Sequence, residues 1–216
     1  MHFLSRFLIV VSATALSCNS AQAQIIPDTT LGNEASVLNP GTIVRDSPAD
    51  LIEGGAIRGG NLFHSFLDFN IDSGQRVYFA SPDGIESILS RVTGGNVSSL
   101  AGTLGVDGTA DLFLLNPNGI FFADTATLDI SGSFYATTGD AIGLGDGVFS
   151  ATQLDQSQLL VVSPSNVFSN YLNNSSGNIT SQGTLQAGDN LTLAANQLEI
   201  SGTIAAGNNL ALLASN

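Results

Sequence analysis

Toward the C-terminal end of the chain, apolar and polar positions alternate in short runs that return at a fixed interval. Gly183-Thr184-Leu185-Gln186-Ala187-Gly188-Asp189-Asn190-Leu191-Thr192-Leu193 comes back as Gly202-Thr203-Ile204-Ala205-Ala206-Gly207-Asn208-Asn209-Leu210-Ala211-Leu212, every position shifted by 19. Within each unit the apolar residues sit two apart, as in Leu191 and Leu193, Leu198 and Ile200, Leu210 and Leu212. Side chains of a strand point alternately to opposite faces, so this spacing turns one set inward and leaves the intervening Thr, Glu and Ala outward. Gly188-Asp189-Asn190 and Gly207-Asn208-Asn209 fall between the runs, where a turn with positive φ suits Gly and Asn. Leu198-Glu199-Ile200-Ser201-Gly202 echoes Leu128-Asp129-Ile130-Ser131-Gly132, and Gly102-Thr103-Leu104 followed by Leu112-Phe113-Leu114 is a looser copy. A period of this length without a 3.6-residue pattern predicts stacked β-coils rather than helical repeats. Each strand then lies parallel to its equivalent in the next coil, and such crossovers turn right-handed. The predicted fold class is therefore all-β, a right-handed single-stranded parallel β-helix. An antiparallel sandwich of short strands is the alternative, and it gives no reason for side chains to repeat at a fixed 19.

Upstream the pattern is less regular. Val37, Ile43 and Val44 precede an apolar stretch from Ile52 to Phe69 that is broken by Gly54-Gly55 and Gly59-Gly60 turns. The first coil of a solenoid exposes unpaired edges and an open core, so a cap is expected here, and Phe63, Phe66 and Phe69 are predicted to plug that core. Val77-Tyr78-Phe79 reads as a strand ended by a turn at Ser81-Pro82-Asp83-Gly84, while Ile85 to Val92 fits a short helix or another strand. Leu112-Phe113-Leu114-Leu115 and Ile120-Phe121-Phe122 are continuous apolar runs on either side of a turn, which predicts strands covered on both faces. No long Pro- or Ser-rich linker interrupts the chain, so a single domain is expected.

The N-terminus changes the composition that matters. Met1 to Arg6 is a short basic n-region, Phe7 to Ser17 an apolar h-region, and Ala21-Gln22-Ala23 a small-x-small cleavage site. The apolar stretch is too short to span a bilayer. Residues 1–23 are read as a signal peptide cleaved between Ala23 and Gln24, with no membrane insertion of the mature chain. Cleavage removes the only Cys (Cys18), the only Met, His2 and Arg6. The mature chain then has one imidazole (His64) and no thiol, so disulfides, thiol catalysis and Cys- or multi-His metal sites are excluded. All five cations of the full chain are arginine, against 18 acids and a formal charge of −13. That balance excludes nucleic-acid or anionic-membrane binding through a basic face. Charged residues are only 11% and mean hydropathy is +0.27, which fits a stacked core and not a disordered chain.

Candidate chemistry is sparse. No Gly-x-Ser-x-Gly elbow accompanies His64, which sits between Phe63 and Phe66 as a packed or capping imidazole. Arg45, Arg58, Arg76 and Arg91 are expected to pair with some of the acids. Asp83-Gly84, Asp107-Gly108 and Asp146-Gly147 lack the regular carboxylate spacing of calcium loops and read as turns. No catalytic residue, cofactor or metal is assigned. A secreted β-helix polysaccharide lyase or hydrolase is the alternative from another class. It needs paired carboxylates, or carboxylates with a basic residue, on one face of adjacent coils. The regular coils carry only Asp189 and Glu199, with no basic residue after Arg91. An autotransporter passenger would require its own membrane barrel.

Asn116-Pro117-Asn118-Gly119-Ile120, between two apolar strands, resembles the NPNGI motif of filamentous-haemagglutinin-like exoproteins, in the two-partner secretion (TPS) or haemagglutination-activity domain. Gly59-Gly60-Asn61-Leu62-Phe63-His64-Ser65-Phe66, Val77-Tyr78-Phe79, Gly84-Ile85-Glu86-Ser87-Ile88-Leu89-Ser90-Arg91-Val92-Thr93-Gly94-Gly95 and Leu128-Asp129-Ile130-Ser131-Gly132-Ser133-Phe134-Tyr135-Ala136-Thr137-Thr138 look like the cyanobacterial branch. Members carry a second NPNL-type motif, whose nearest counterpart is Ser81-Pro82-Asp83-Gly84-Ile85, with Ser in place of the first Asn. The resemblance implies a TPS domain over 24–170, with 171–216 starting the regular coils. It also implies extra-helical strands beside the capped β-helix, and no enzymatic activity. Export would run through Sec and an outer-membrane TpsB-type β-barrel transporter with POTRA domains, to the cell surface or exterior. The domain would act as a secretion signal that nucleates β-helix folding of an adhesin-type exoprotein. Recognition is expected to use charge or added strands. Family exoproteins usually continue for many coils, whereas about two regular repeats are recognisable here, a length expected to suffice for the signal module and not for a complete adhesin.

Overall fold

The computed structural model describes residues 25–161, 163–164 and 177–215. The expected signal peptide, its Ala23/Gln24 junction and the boundary near 170 lie outside the described residues.

The repeated alternation produces a stack of coils in which each coil contributes strands to parallel sheets. The first coil consists of Asn61–Phe69 and Arg76–Ala80, with Ile71 bridging to Leu100 where a third strand would lie. The next two are Ser87–Val92, Ser98–Leu100, Thr103–Asp107 and Asp111–Leu115, Ile120–Phe122, Thr127–Asp129. The fourth and fifth are Phe134–Thr137, Asn178–Ser181, Thr184–Ala187 and Leu191–Ala195, Gln197–Ile200, Thr203–Ala206, and Leu210–Ala214 adds a further rung. Equivalent strands pair in parallel from coil to coil. This is the predicted parallel β-helix. Ile85–Val92, which fitted helix or strand, forms a strand over Ser87–Val92.

The register confirms the 19-residue period where it was read and shows where it stretches. Leu191 pairs with Leu210, Ile179 with Leu198 and Thr184 with Thr203, each 19 apart. Asn61 pairs with Ser87, 26 positions on, Ser87 with Asp111, 24 on, and Leu112 with Phe134, 22 on. Phe134 pairs with Leu191, 57 positions on, because an excursion leaves the stack between them. Part of that excursion is an antiparallel hairpin, Ala141–Leu144 with Gly147–Ser150, which matches the extra-helical strands that the family resemblance implied.

The stack closes at its N-terminal end with a built cap. Ile25–Pro27 and Ala56–Arg58 both pair antiparallel with Asn61–Phe69, and Ser36–Val44 forms a bulged antiparallel hairpin with Ser47–Gly54. Inside the coils, Leu62, Phe66, Ile88, Leu112, Leu114, Phe134, Leu191 and Leu193 form one continuous apolar column. Phe66 and Phe69 plug the capped end as predicted, with ring centroids 5.1 Å apart and Phe79 against both. Phe63 does not. A spacing of three places it on the other side of a period-two strand from Phe66. Its ring meets Phe149 of the extra-helical hairpin at 5.0 Å, in a second apolar cluster with Leu89, Phe113, Leu115, Tyr135 and Ile142.

That second cluster explains why Leu112–Leu115 is apolar throughout: even positions fill the lumen and the hairpin covers the odd ones. The same expectation for Ile120–Phe122 needs correction. Ile120 and Phe122 are buried in the column, whereas Phe121 points outward and is only half-buried, because the hairpin covers a different sheet.

Candidate functional site

The predicted motif Asn116–Ile120 is the corner that joins Asp111–Leu115 to Ile120–Phe122. Gly119 N–H donates to Asn116 C=O at 3.1 Å, which makes a β-turn with Pro117 and Asn118 at its centre. Gly119 has φ 123°, a backbone that L side chains rarely adopt. The Asn116 side chain is fully buried and its bonding capacity is filled. Its Nδ2 donates to Asn96 C=O at 3.0 Å and to Ser98 Oγ at 2.9 Å, both at the preceding coil's corner. Its Oδ1 accepts from the Asn118 backbone N–H at 3.0 Å and from Asn118 Nδ2 at 3.2 Å. Asn118 Nδ2 also reaches Gly94 C=O at 2.7 Å, and Asn116 N–H donates to Thr137 C=O of the following coil. A carboxamide offers two donors and one two-lone-pair acceptor. Here the donors tie the corner to the preceding coil, the acceptor holds the turn itself, and the Asn116 backbone N–H joins the following coil. The outer side of the turn lines an open cleft of about 360 Å³ shared with Val92, Thr93, Gly94 and Leu154.

The second predicted turn, Ser81–Ile85, is closed by Ile85 N–H donating to Pro82 C=O at 3.1 Å. It joins Arg76–Ala80 to Ser87–Val92, a different corner from Asn116–Ile120. The structure therefore places the two motifs at separate corners and does not bring them together.

His64 is the packed imidazole that was expected. It is fully buried, with Nδ1 3.0 Å from Ser36 Oγ and its ring centroid 5.2 Å from that of Phe79. Its Nε2 has no hydrogen-bond partner among the described residues. Burial in this apolar column pulls its pKa down to about 3.

Of the four arginines among the described residues, Arg45 pairs with Asp129 and Arg58 with Glu34 at 2.7 Å. The other two differ from expectation, since among the described residues neither makes an ion pair. Arg76 donates to Tyr78 Oη at 2.9 Å and to the carbonyls of Val44 and Pro48. Tyr78 Oη in turn donates to Asp129 at 2.6 Å, two rungs away, and its ring lies across Gly105, where a Cβ would be 2.4 Å from Cε1.

Arg91 is the side chain whose role the sequence did not disclose. It is 2% exposed and lies on an outward-facing position of its strand, under the hairpin. Nε donates to Ser65 Oγ (2.9 Å), one terminal nitrogen to Ser150 C=O (2.5 Å) and Ser157 Oγ (2.8 Å), and the other to Thr30 Oγ1 (2.9 Å). Its Cζ stands 4.5 Å from the Phe149 ring centroid. Burial lowers its pKa to about 10, and the nearby Asp28 charge opposes that shift. Burial pushes Asp28 upward, but hydrogen bonds from Thr30, Thr93 and Ser65 outweigh it and hold the carboxyl below its ordinary value. Ser65 and Thr30 thus relay between cation and carboxylate. A single charge in the otherwise uncharged run Ser87–Val92 was the available signal.

Among the described residues no group of three His, Cys, Asp or Glu side chains is placed to hold a metal. What the geometry defines is a capped parallel β-helix whose most densely bonded polar groups fix corners and segments of the fold. The TPS secretion domain family model matches residues 23–216, so the chain belongs to that family. It is 29% identical over 145 residues to the heme/hemopexin-binding protein of Haemophilus influenzae, a match covering 65% of this chain and 14% of that protein. The chain therefore aligns with a small part of that relative's length. Among solved structures, the filamentous hemagglutinin secretion domain aligns with 87% of this chain and 99% of its own at a TM-score of 0.39 and 15% identity.

Proposed function

We propose that this chain is the signal-bearing N-terminal module of an adhesin-type exoprotein, exported by Sec and handed to an outer-membrane β-barrel transporter through its POTRA domains. Membership of the TPS secretion domain family over residues 23–216 carries this reading. The module works by shape and not by chemistry, and it is not an enzyme. Asn116–Ile120 and Ser81–Ile85 are fold-determining turns in it. The full bonding of the buried Asn116 amide supports a structural role over direct contact with a transporter. The folded module gives the coils that follow it a starting register.

Co-expression with candidate two-partner transporters from the same genome tests this reading. The chain is expected in the medium only with an intact transporter, and to accumulate in the periplasm when the POTRA domains are deleted. Export that ignores the transporter would overturn it.

A further inference from the structure

Arg91 is placed for more than stability of its own coil. The atoms it holds come from three separate parts of the chain: Thr30 in the segment following the first cap strand, Ser65 in the first coil, and Ser150 and Ser157 in and after the extra-helical hairpin. The same centre gathers Asp28, which accepts from Ser65 Oγ at 2.8 Å, Thr30 Oγ1 at 2.6 Å and Thr93 Oγ1 at 2.6 Å. Ser157 Oγ, which receives Arg91, also accepts from the Ser150 backbone N–H at 3.2 Å, so the end of the hairpin is pinned at the same point. Phe149 lies over the guanidinium and packs edge-on against Phe63 of the first coil.

A buried guanidinium with part of its donors unpaired is strongly unfavourable. A two-stranded hairpin, or a short strand laid on one edge, has little stability without packing partners. Each segment therefore lacks a reason to settle until the others are present, and the cation is satisfied only when all of them are.

We propose that Arg91 is the closing latch of the module: its guanidinium fastens the Asp28–Thr30 cap segment and the Ala141–Ser157 excursion onto the first two coils as one cooperative unit. The cap is then complete only once the chain through Ser157 is in place. This concerns how the domain folds and holds whether or not the transporter reading above is right.

Hydrogen exchange followed by mass spectrometry on the full chain tests it. In Arg91→Met, exchange is expected to quicken at least tenfold together in peptides covering Ile25–Thr30 and Ala141–Ser157, while Leu191–Ala195 keeps its protection. Arg91→Lys retains the charge but cannot span the partners, and is expected to loosen the same two segments. Loosening of one segment alone, or of neither, overturns the latch. Should Arg91→Met fail to fold, pulse-labelled refolding of the unaltered chain decides the matter. Cap and hairpin amides are expected to gain protection in one kinetic phase, and cap protection that precedes the hairpin overturns the proposal.

Discussion

A single histidine illustrates how much a residue's place in the coil decides. The sequence showed His64 between two phenylalanines, and strand alternation then fixes its direction: Phe66 and His64 share the lumen side, while Phe63 and Ser65 face outward. An imidazole in that column is stable only when neutral. With a pKa near 6.5 in the unfolded chain and about 3 in the fold, the unfolded state binds a proton between those values while the native state does not. Its contribution is thus fully present above about pH 6.5 and is lost as the pH falls toward 3. The expected slope from this group is ~1.4 kcal/mol per pH unit below pH 6. Urea midpoints of the unaltered chain should fall between pH 7 and pH 5, and His64→Leu should flatten that fall. Parallel pH profiles for the two proteins would remove His64 as the cause. Alternation could have shown that Phe63 points away from the plug, because residues three apart on a regular strand fall on opposite faces. Phe66 and Phe69 share the lumen because the register slips at Leu67, with Ile26 beside Asp68 and Pro27 beside Phe66. The outward target, Phe149, lies more than eighty positions away and leaves no local trace.

Among elements, turns proved more legible than what they join. Asn116–Ile120 reads as a turn from residue type alone, since Pro suits its second position and Gly its positive φ. What the residue types could not disclose is that the Asn116 amide reaches back to Asn96 and Ser98, because that depends on a 22-residue coil length setting one corner above the other. Asn116→Ala leaves Asn96 C=O and Ser98 Oγ without this donor and removes the Oδ1 acceptor of Asn118, at an expected cost of about 1–3 kcal/mol for buried groups so abandoned. Asn118→Ala, whose side chain is nearer the surface, is expected to cost about 1 kcal/mol or less. Because the two amides share the Oδ1 contact, the double variant should lose less than the sum of the singles. Denaturant unfolding checks the energies, and a secretion assay beside it checks the consequence. Export should fall in the order of lost stability, and a stable variant that is not exported would mark the turn as a contact surface instead. The extra-helical hairpin was visible only through the family resemblance. Its Ala141-Ile142-Gly143-Leu144 and Gly147-Val148-Phe149-Ser150 strands are short and carry no repeat, so nothing in their own pattern separates them from another coil.

For the whole molecule, stability divides between a closed, individually built end and a regular, interchangeable one. The cap and first coils depend on long-range polar contacts: Arg45 to Asp129 and Val106, Tyr78 to Asp129, Arg91 to Ser150 and Ser157. From Gly177 onward the coils rely on near neighbours. Thr184 stacks on Thr203, Asn208 donates to Asp189 at 2.6 Å and Asn209 to Asn190 at 2.9 Å, each across one 19-residue step. Such a stack behaves as a one-dimensional array in which each unit is stabilised by its neighbours. If that holds, a second copy of residues 191–209 placed directly after Asn209 meets the same partners as the first, with Leu191 again beside Leu210. The duplicated chain is expected to fold, to lengthen by about 4.8 Å along the stack axis, the spacing of neighbouring strands, and to gain strand signal in circular dichroism. Its urea m-value should rise in proportion to the added buried surface. An insertion of 18 or 20 residues at the same point shifts the lumen-facing leucines to the outside and is expected to aggregate or unfold locally. Equal tolerance of 18, 19 and 20 would show that the period carries no structural information. The same operation near residue 90 should fail at every length, because Arg91 and its partners Ser65, Ser150 and Ser157 are specified individually and have no equivalent one coil on.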